Sequence, residues 1–182
     1  DGCDFEDGNQ KTVCGYIQDL SDDAEWERLN SSTPPPSTGP TQDHTLVGQC
    51  KDSGFFMLVN TSEGAEGERA RLLSPVLKPK RDQHCLDFWY YMSGKSNVGP
   101  LSINVRVDVN EGKVPLLNTI WTVSGNPGRN WKRAEVTLNT FETKEVQVIF
   151  EGTKGDPGGS SGGIAIDDIK LTETPSPSQC PA

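Results

Sequence analysis

The residues best able to do chemistry are five cysteines, Cys3, Cys14, Cys50, Cys85 and Cys180. Their wide spacing and the lack of any C-x-x-C pair favour disulfides in an oxidising compartment over a zinc site or a cytosolic redox centre. The number is odd, and Cys50 has no obvious partner. Its neighbours Gly48, Gln49, Lys51, Asp52 and Ser53 are polar or turn-forming, as in an exposed loop. An exposed thiol outside the cytosol is a candidate for pairing between molecules. The competing expectation is a buried free thiol, because unpaired cysteine is among the most buried residue types.

Most of the 26 acidic residues need no role beyond a solvated surface. The stretch IAIDDI at 164–169 is different, because its apolar alternation is broken by Asp167 and Asp168. Alternation would aim one of them inward, where a carboxylate must be paired, hydrogen-bonded or bound to metal. Two carboxylates across a sandwich groove could also form a glycosidase pair, but adjacent strand residues point to opposite faces. No H-E-x-x-H, G-x-S-x-G or glycine-rich phosphate loop occurs. His44 and His84 lack the neighbours of a zinc site or a triad, so the chain reads as non-enzymatic.

Asn30-Ser31-Ser32 and Asn60-Thr61-Ser62 are acceptor sequons that would carry glycans on a secreted chain. The formal charge is −9, and the 17 basic residues are scattered apart from Lys78-Pro79-Lys80-Arg81. Nucleic acid is excluded as a partner, since phosphate binding needs a basic face. With no bilayer-length apolar run and no signal-peptide pattern, the chain is expected to be a piece of an ectodomain, any membrane anchor lying elsewhere. Lys154-Gly155-Asp156, followed by Pro157-Gly158-Gly159, reads as a flexible turn rather than an integrin-binding tripeptide. Trp26, Trp89, Trp121 and Trp131 read as core or rim anchors; a glycan-binding platform would need several of them exposed on one face.

These side chains must be held by strands. Leu101–Val109 alternates apolar and polar residues throughout, the pattern of a half-buried strand. Less regular strands are expected at Phe55–Val59, Cys85–Met92, Ile120–Val123, Trp131–Leu138, Val146–Glu151 and Ile164–Leu171, separated by Gly, Pro and Asn turns. With no amphipathic helix between them, the expectation is one all-β antiparallel sandwich, immunoglobulin-like or jelly roll. An immunoglobulin domain is about 100 residues, too short for this chain. Ser31–Pro40 reads as a proline-rich surface loop, and residues 173–182 as a linker leaving a domain that spans 1–172.

In order along the chain stand Cys3-Asp4-Phe5-Glu6, Cys14-Gly15-Tyr16, DDAEW ending at Trp26, DHT at 43–45, ARLLSP at 70–75, CLDFWYYMSG at 85–94, NWKRAEVTL at 130–138, FEG at 150–152 and IAIDDI. Together they resemble the MAM domain, an extracellular jelly-roll module of meprin metalloproteases, receptor-type tyrosine phosphatases and neuropilins. DHTLVGQC, PKRDQHCL and GTKGDPGGSSGG look meprin-like, whereas Trp121–Phe141 looks more like the phosphatase receptors. The resemblance implies a noncatalytic adhesion or oligomerisation module, with catalysis in another domain of any metalloprotease parent. It implies disulfides Cys3–Cys14 and Cys85–Cys180, contributing on the order of 3 and 5 kcal/mol. Cys50 is then left over, and in meprins a cysteine in this setting links two subunits, so a second copy is the expected partner. Some members carry a cation near the first disulfide. Hard oxygen ligands suit Ca²⁺, and Glu6, Asp43 and Asp168 are the candidates. The alternative is that these carboxylates cap turns or pair with Arg71 or His44. Homophilic adhesion and a glycan-binding jelly roll are the rival functions.

Overall fold

The computed structural model describes residues 2–7, 13–30, 39–45, 54–80, 83–94, 98–107, 116–139, 145–155 and 162–173. The strands are β1 (Gly2–Cys3), β2 (Ile17–Gln18), β3 (Glu27–Asn30), β4 (Phe55–Asn60), β5 (Arg69–Leu73), β6 (Gln83–Ser93), β7 (Leu101–Val107), β8 (Leu116–Val123), β9 (Gly128–Asn139), β10 (Val146–Thr153) and β11 (Gly163–Glu173). No helix occurs among the described residues. One sheet runs β3-β4-β11-β6-β9, with β1 also paired to β11; the other runs β2-β5-β10-β7-β8. Every strand pairing is antiparallel. The sheets face each other as a jelly-roll β-sandwich.

Alternation decides which side chains fill the space between the sheets. Leu101, Ile103 and Val105 of β7 and Ala134, Val136 and Leu138 of β9 turn inward, and their polar neighbours turn to the other face, where Asn104 is buried and accepts a hydrogen bond from Thr119. Phe88, Tyr90 and Met92 of β6 join the same core. Strand β6 is apolar on both faces, however, because Tyr91 packs on the outer side of the six-stranded sheet with Phe56, Leu58 and Ala165. That outer cluster makes β4, β11 and β6 two-sided strands, and a segment must cover it.

The seven expected strands are present, several with extended bounds. Strand β8 starts at Leu116 rather than Ile120, because its register against β7 shifts between Ile103 and Asn104 and the alternation is broken there. Strand β5 was not expected: Arg-Ala-Arg-Leu-Leu does not alternate cleanly. The end of the expected run at Val109 lies outside the described residues, as do 31–38 of the proline-rich loop and the tail from 174. Gly39 and Pro40, the described end of that loop, are buried. The entry to β7 requires Gly99, which has φ +95° and would drive a Cβ into the Thr153 carbonyl.

Candidate functional site

The segment 39–45 lies against Trp89 and Trp131 on the outer face of the six-stranded sheet, and the two aspartates of β11 hold it there. Asp167 follows Ala165 on the outer face and is fully buried. Its Oδ2 accepts hydrogen bonds from the backbone of His44 at 2.8 Å and of Thr45 at 3.4 Å, and its Oδ1 accepts from the Asp168 amide at 2.8 Å. The β11 register then shifts between Asp167 and Lys170, and Asp168 adopts φ +48°. The expected opposite-face arrangement is therefore corrected: this bulge turns Asp168 toward the same segment. Asp168 Oδ2 meets His44 Nδ1 at 2.5 Å, and Thr45 Oγ1 donates to Asp168 Oδ1 at 2.8 Å. Because the hydroxyl bonds the carboxylate and not the imidazole, these three groups form no nucleophile–base–acid chain. Burial, and next the charge of Asp168, push the Asp167 carboxyl up to about 8, against the three amides that favour its ionised form.

Glu6 and Asp43 meet at the start of β4. Glu6 Oε1 accepts from the Phe55 amide at 2.8 Å, and buried Asp43 accepts from the Gly54 amide at 3.1 Å through Oδ1. A Cβ at Gly54 would strike the Asp43 carboxylate and lie 2.5 Å from Glu6 Oε1, so only glycine lets the two acids converge here. Arg28 positions Glu6: its guanidinium donates to the Phe5 and Glu6 carbonyls at 2.8 and 2.6 Å and lies 3.5 Å above the Phe55 ring. Burial raises the Glu6 pKa, the Phe55 amide opposing and the charges of Asp43 and Asp4 adding to the rise. Two hard, mutually repelling carboxylates are a donor set that a divalent cation suits. Asp168, the third expected ligand, is instead held by His44 and Thr45, and no group of three or more His, Cys, Asp or Glu residues able to hold a metal occurs among the described residues. Arg71 is engaged elsewhere, by Glu151 at 2.6 Å and Asp19 at 3.7 Å.

Beside the anchored segment runs a groove of about 390 Å³ lined by His44, Trp89, Tyr91, Arg129, Asn130 and Trp131 among others. His44 stacks on Trp89 with ring centroids 3.8 Å apart. Trp131 stands edge-on to His44 and donates from Nε1 to the Gln42 carbonyl at 2.9 Å. Trp26 is buried in the main core and Trp121 packs against it, so two of the four tryptophans reach this face. Sequence reasoning missed the groove; the signal was the unbroken run Phe88-Trp89-Tyr90-Tyr91-Met92, too apolar for a strand wet on one side.

Cys3 and Cys14 are joined by a disulfide with Cα atoms 5.8 Å apart. Cys85 is buried and disulfide-bonded, its partner lying outside the described residues, as do Cys50 and Cys180. Asn60 closes β4, and its Oδ1 accepts from the Ser62 amide at 3.0 Å, a turn built on the side-chain oxygen and not on the nitrogen that would carry a glycan. Asn30 closes β3. His84 is buried, with Glu173 at 3.7 Å.

The sequence model described as "MAM domain, meprin/A5/mu" matches residues 3–181. Meprin A subunit alpha of Mus musculus is 54% identical over 177 residues, 97% of this chain and 22% of that protein. Neuropilin-1 of Xenopus laevis is 47% identical over 180 residues, 99% of this chain and 18% of that protein. Meprin A subunit beta of Rattus norvegicus is 44% identical over 181 residues, 100% of this chain and 24% of that protein. The chain thus spans less than a quarter of the length of these relatives. Among solved structures, a cleaved adhesin domain of Lys-gingipain from Porphyromonas gingivalis W83 superposes with TM-score 0.61 at 13% identity, over 95% of this chain and 97% of that one. A xylan-binding domain of Paenibacillus barcinonensis Xyn10C gives 0.57 at 14%, over 96% and 99%. At such identities the superpositions show the shared sandwich and nothing more. The match along nearly the whole sequence and the identity to meprin and neuropilin regions show that this chain belongs to the MAM domain family.

Proposed function

We propose that the chain is a noncatalytic extracellular association module whose partner is a second copy of itself, joined through Cys50 of each, within a meprin-like metalloprotease that is membrane-anchored or secreted. The observation that carries this reading is the 54% identity to meprin A subunit alpha across 97% of the chain. The anchoring adds a physical reason. Thr45 is fixed by Asp168 and Gly54 by Asp43, so the described residues on either side of Cys50 in sequence are both anchored to the sandwich. A two-fold contact brings identical loops together on its axis, the arrangement a symmetric bridge needs. Secreted wild type and Cys50→Ser, run on reducing and non-reducing gels, provide the test. The expected outcome is a dimer band lost on reduction and in the variant. Monomer in every lane would sink the covalent dimer and favour noncovalent homophilic adhesion, for which Leu117 and Ile120 of edge strand β8, 41% and 40% exposed, offer an apolar contact. Peptide mapping without reduction checks the proposed Cys85–Cys180 bond and glycan occupancy at Asn30 and Asn60; a Cys85–Cys50 peptide would end the dimer proposal.

The same reading includes one Ca²⁺ held by Glu6 and Asp43, which would neutralise their repulsion and tie the N-terminal segment to β4. Thermal unfolding in Ca²⁺ is expected to exceed that in chelator, by about 2.7 kcal/mol at a hundredfold excess over Kd, and Glu6→Gln should remove the difference. Superimposable melts for the wild type would dismiss the ion.

A further inference from the structure

We propose that the corner formed by His44, Trp89 and Trp131 binds an acidic saccharide. The groove's volume, about 390 Å³, falls within the range of small-ligand pockets, about 300–1,000 Å³, and suits a short oligosaccharide. Among its lining rings, the His44 imidazole lies 15° from parallel to the Trp89 ring on which it stacks, and Trp131 is inclined at 71° to that imidazole. A pyranose presents a face of C–H groups that packs against such rings and a rim of hydroxyls that needs polar partners. Asn130 and Arg129, both exposed, stand at that rim.

The corner is rigid before any ligand arrives. Asp168 holds the imidazole and Asp167 holds its backbone, while Trp131 is tied to Gln42 and packed edge-on against Phe56 and Tyr91. Fixed rings lose little entropy on binding. Charge selects the kind of sugar. Arg133 on the same strand is clamped by Asp87 and Glu135, but Arg129 makes no ion pair among the described residues. In a chain of net charge −9, an uncommitted guanidinium beside an aromatic corner favours a ligand with a carboxylate, which its planar fork can bind through two parallel hydrogen bonds. A purely apolar ligand would strip water from Arg129 and Asn130 and return nothing.

The test is titration of the intact domain with 3′-sialyllactose and with lactose, read by tryptophan fluorescence and saturation-transfer NMR. Sialyllactose is expected to bind with Kd on the order of 1 mM and lactose about tenfold more weakly. Arg129→Ala, at an exposed position, should bring the two sugars to similar affinity, and Trp131→Ala should abolish both signals. No response to either sugar, or an unchanged preference in Arg129→Ala, overturns the proposal. So does a result in which Arg129→Ala alters self-association and leaves the sugars without effect, which would make the groove a protein contact.

Discussion

Phe88→Ala is expected to lower the free energy of unfolding by about 3–5 kcal/mol. The ring is fully buried at the middle of β6 and touches both sheets. It meets Phe150 of β10 edge-to-face at 5.2 Å, Trp121 of β8 at 5.4 Å, and Tyr90 of its own strand at 6.3 Å. Truncation removes the transfer free energy of a whole ring, leaves a cavity that a close-packed sandwich cannot collapse, and forfeits aromatic pairs worth about 0.5–1.5 kcal/mol each. Against a total stability of about 5–15 kcal/mol, that is at least about a fifth of what holds the fold together. Urea unfolding at unchanged m-value reads it, with Phe88→Leu as the control that refills most of the volume and loses much less. A loss below about 1.5 kcal/mol for the alanine variant would show that the two sheets are not held together at this ring.

The inter-sheet core was legible because its strands alternate. Leu101, Ile103 and Val105 announce β7 by period alone, and the turn residues between runs mark the ends. What alternation cannot convey is a change in the period. The bulges at Ile120 and at Asp167–Lys170 shift the face on which the following residues fall, and no local signal in IAIDDI says that Asp168 turns outward. The same limit explains the candidate site. The sequence puts Glu6, Asp43 and Asp168 forward together as candidate ligands, yet contacts spanning 49 and 123 residues in sequence decide the outcome: the first two converge at Gly54 and the third is drawn to Thr45 and His44. Family resemblance supplied order along the chain, whereas the docking of segment 39–45 against Trp89 and Trp131 depends on long-range packing that only the fold reveals.

Stability is expected to fall by at most about 1.4 kcal/mol per pH unit between about pH 6 and 8, and Asp167→Ala is expected to abolish that slope. The carboxyl has an ordinary value of 3.8 and is pushed up to about 8 in the fold, chiefly by burial and then by Asp168. Since the folded state holds the proton more tightly than the unfolded one, its contribution is complete below about pH 3.8 and is lost as pH rises through about 8. Asp22, raised to about 6 by burial with the charges of Asp19 and Glu25 adding, contributes in the same direction but only below about pH 6, so the upper window isolates Asp167. At neutral pH the alanine variant also leaves the His44 and Thr45 amides without their acceptor, at about 1–3 kcal/mol for each donor that stays buried. Segment 39–45 escapes that cost by lifting off the sheet, which unstacks His44 from Trp89. The local event is therefore separable from the global one: amide exchange at His44 and Thr45 should accelerate above about pH 8 in the wild type and at every pH in the variant, while exchange in β7 and β10 remains protected. A wild type whose stability is flat from pH 6 to 8 would mean that the three amides outweigh burial and hold Asp167 ionised, and the anchor would then be a permanent charge rather than one released by alkali.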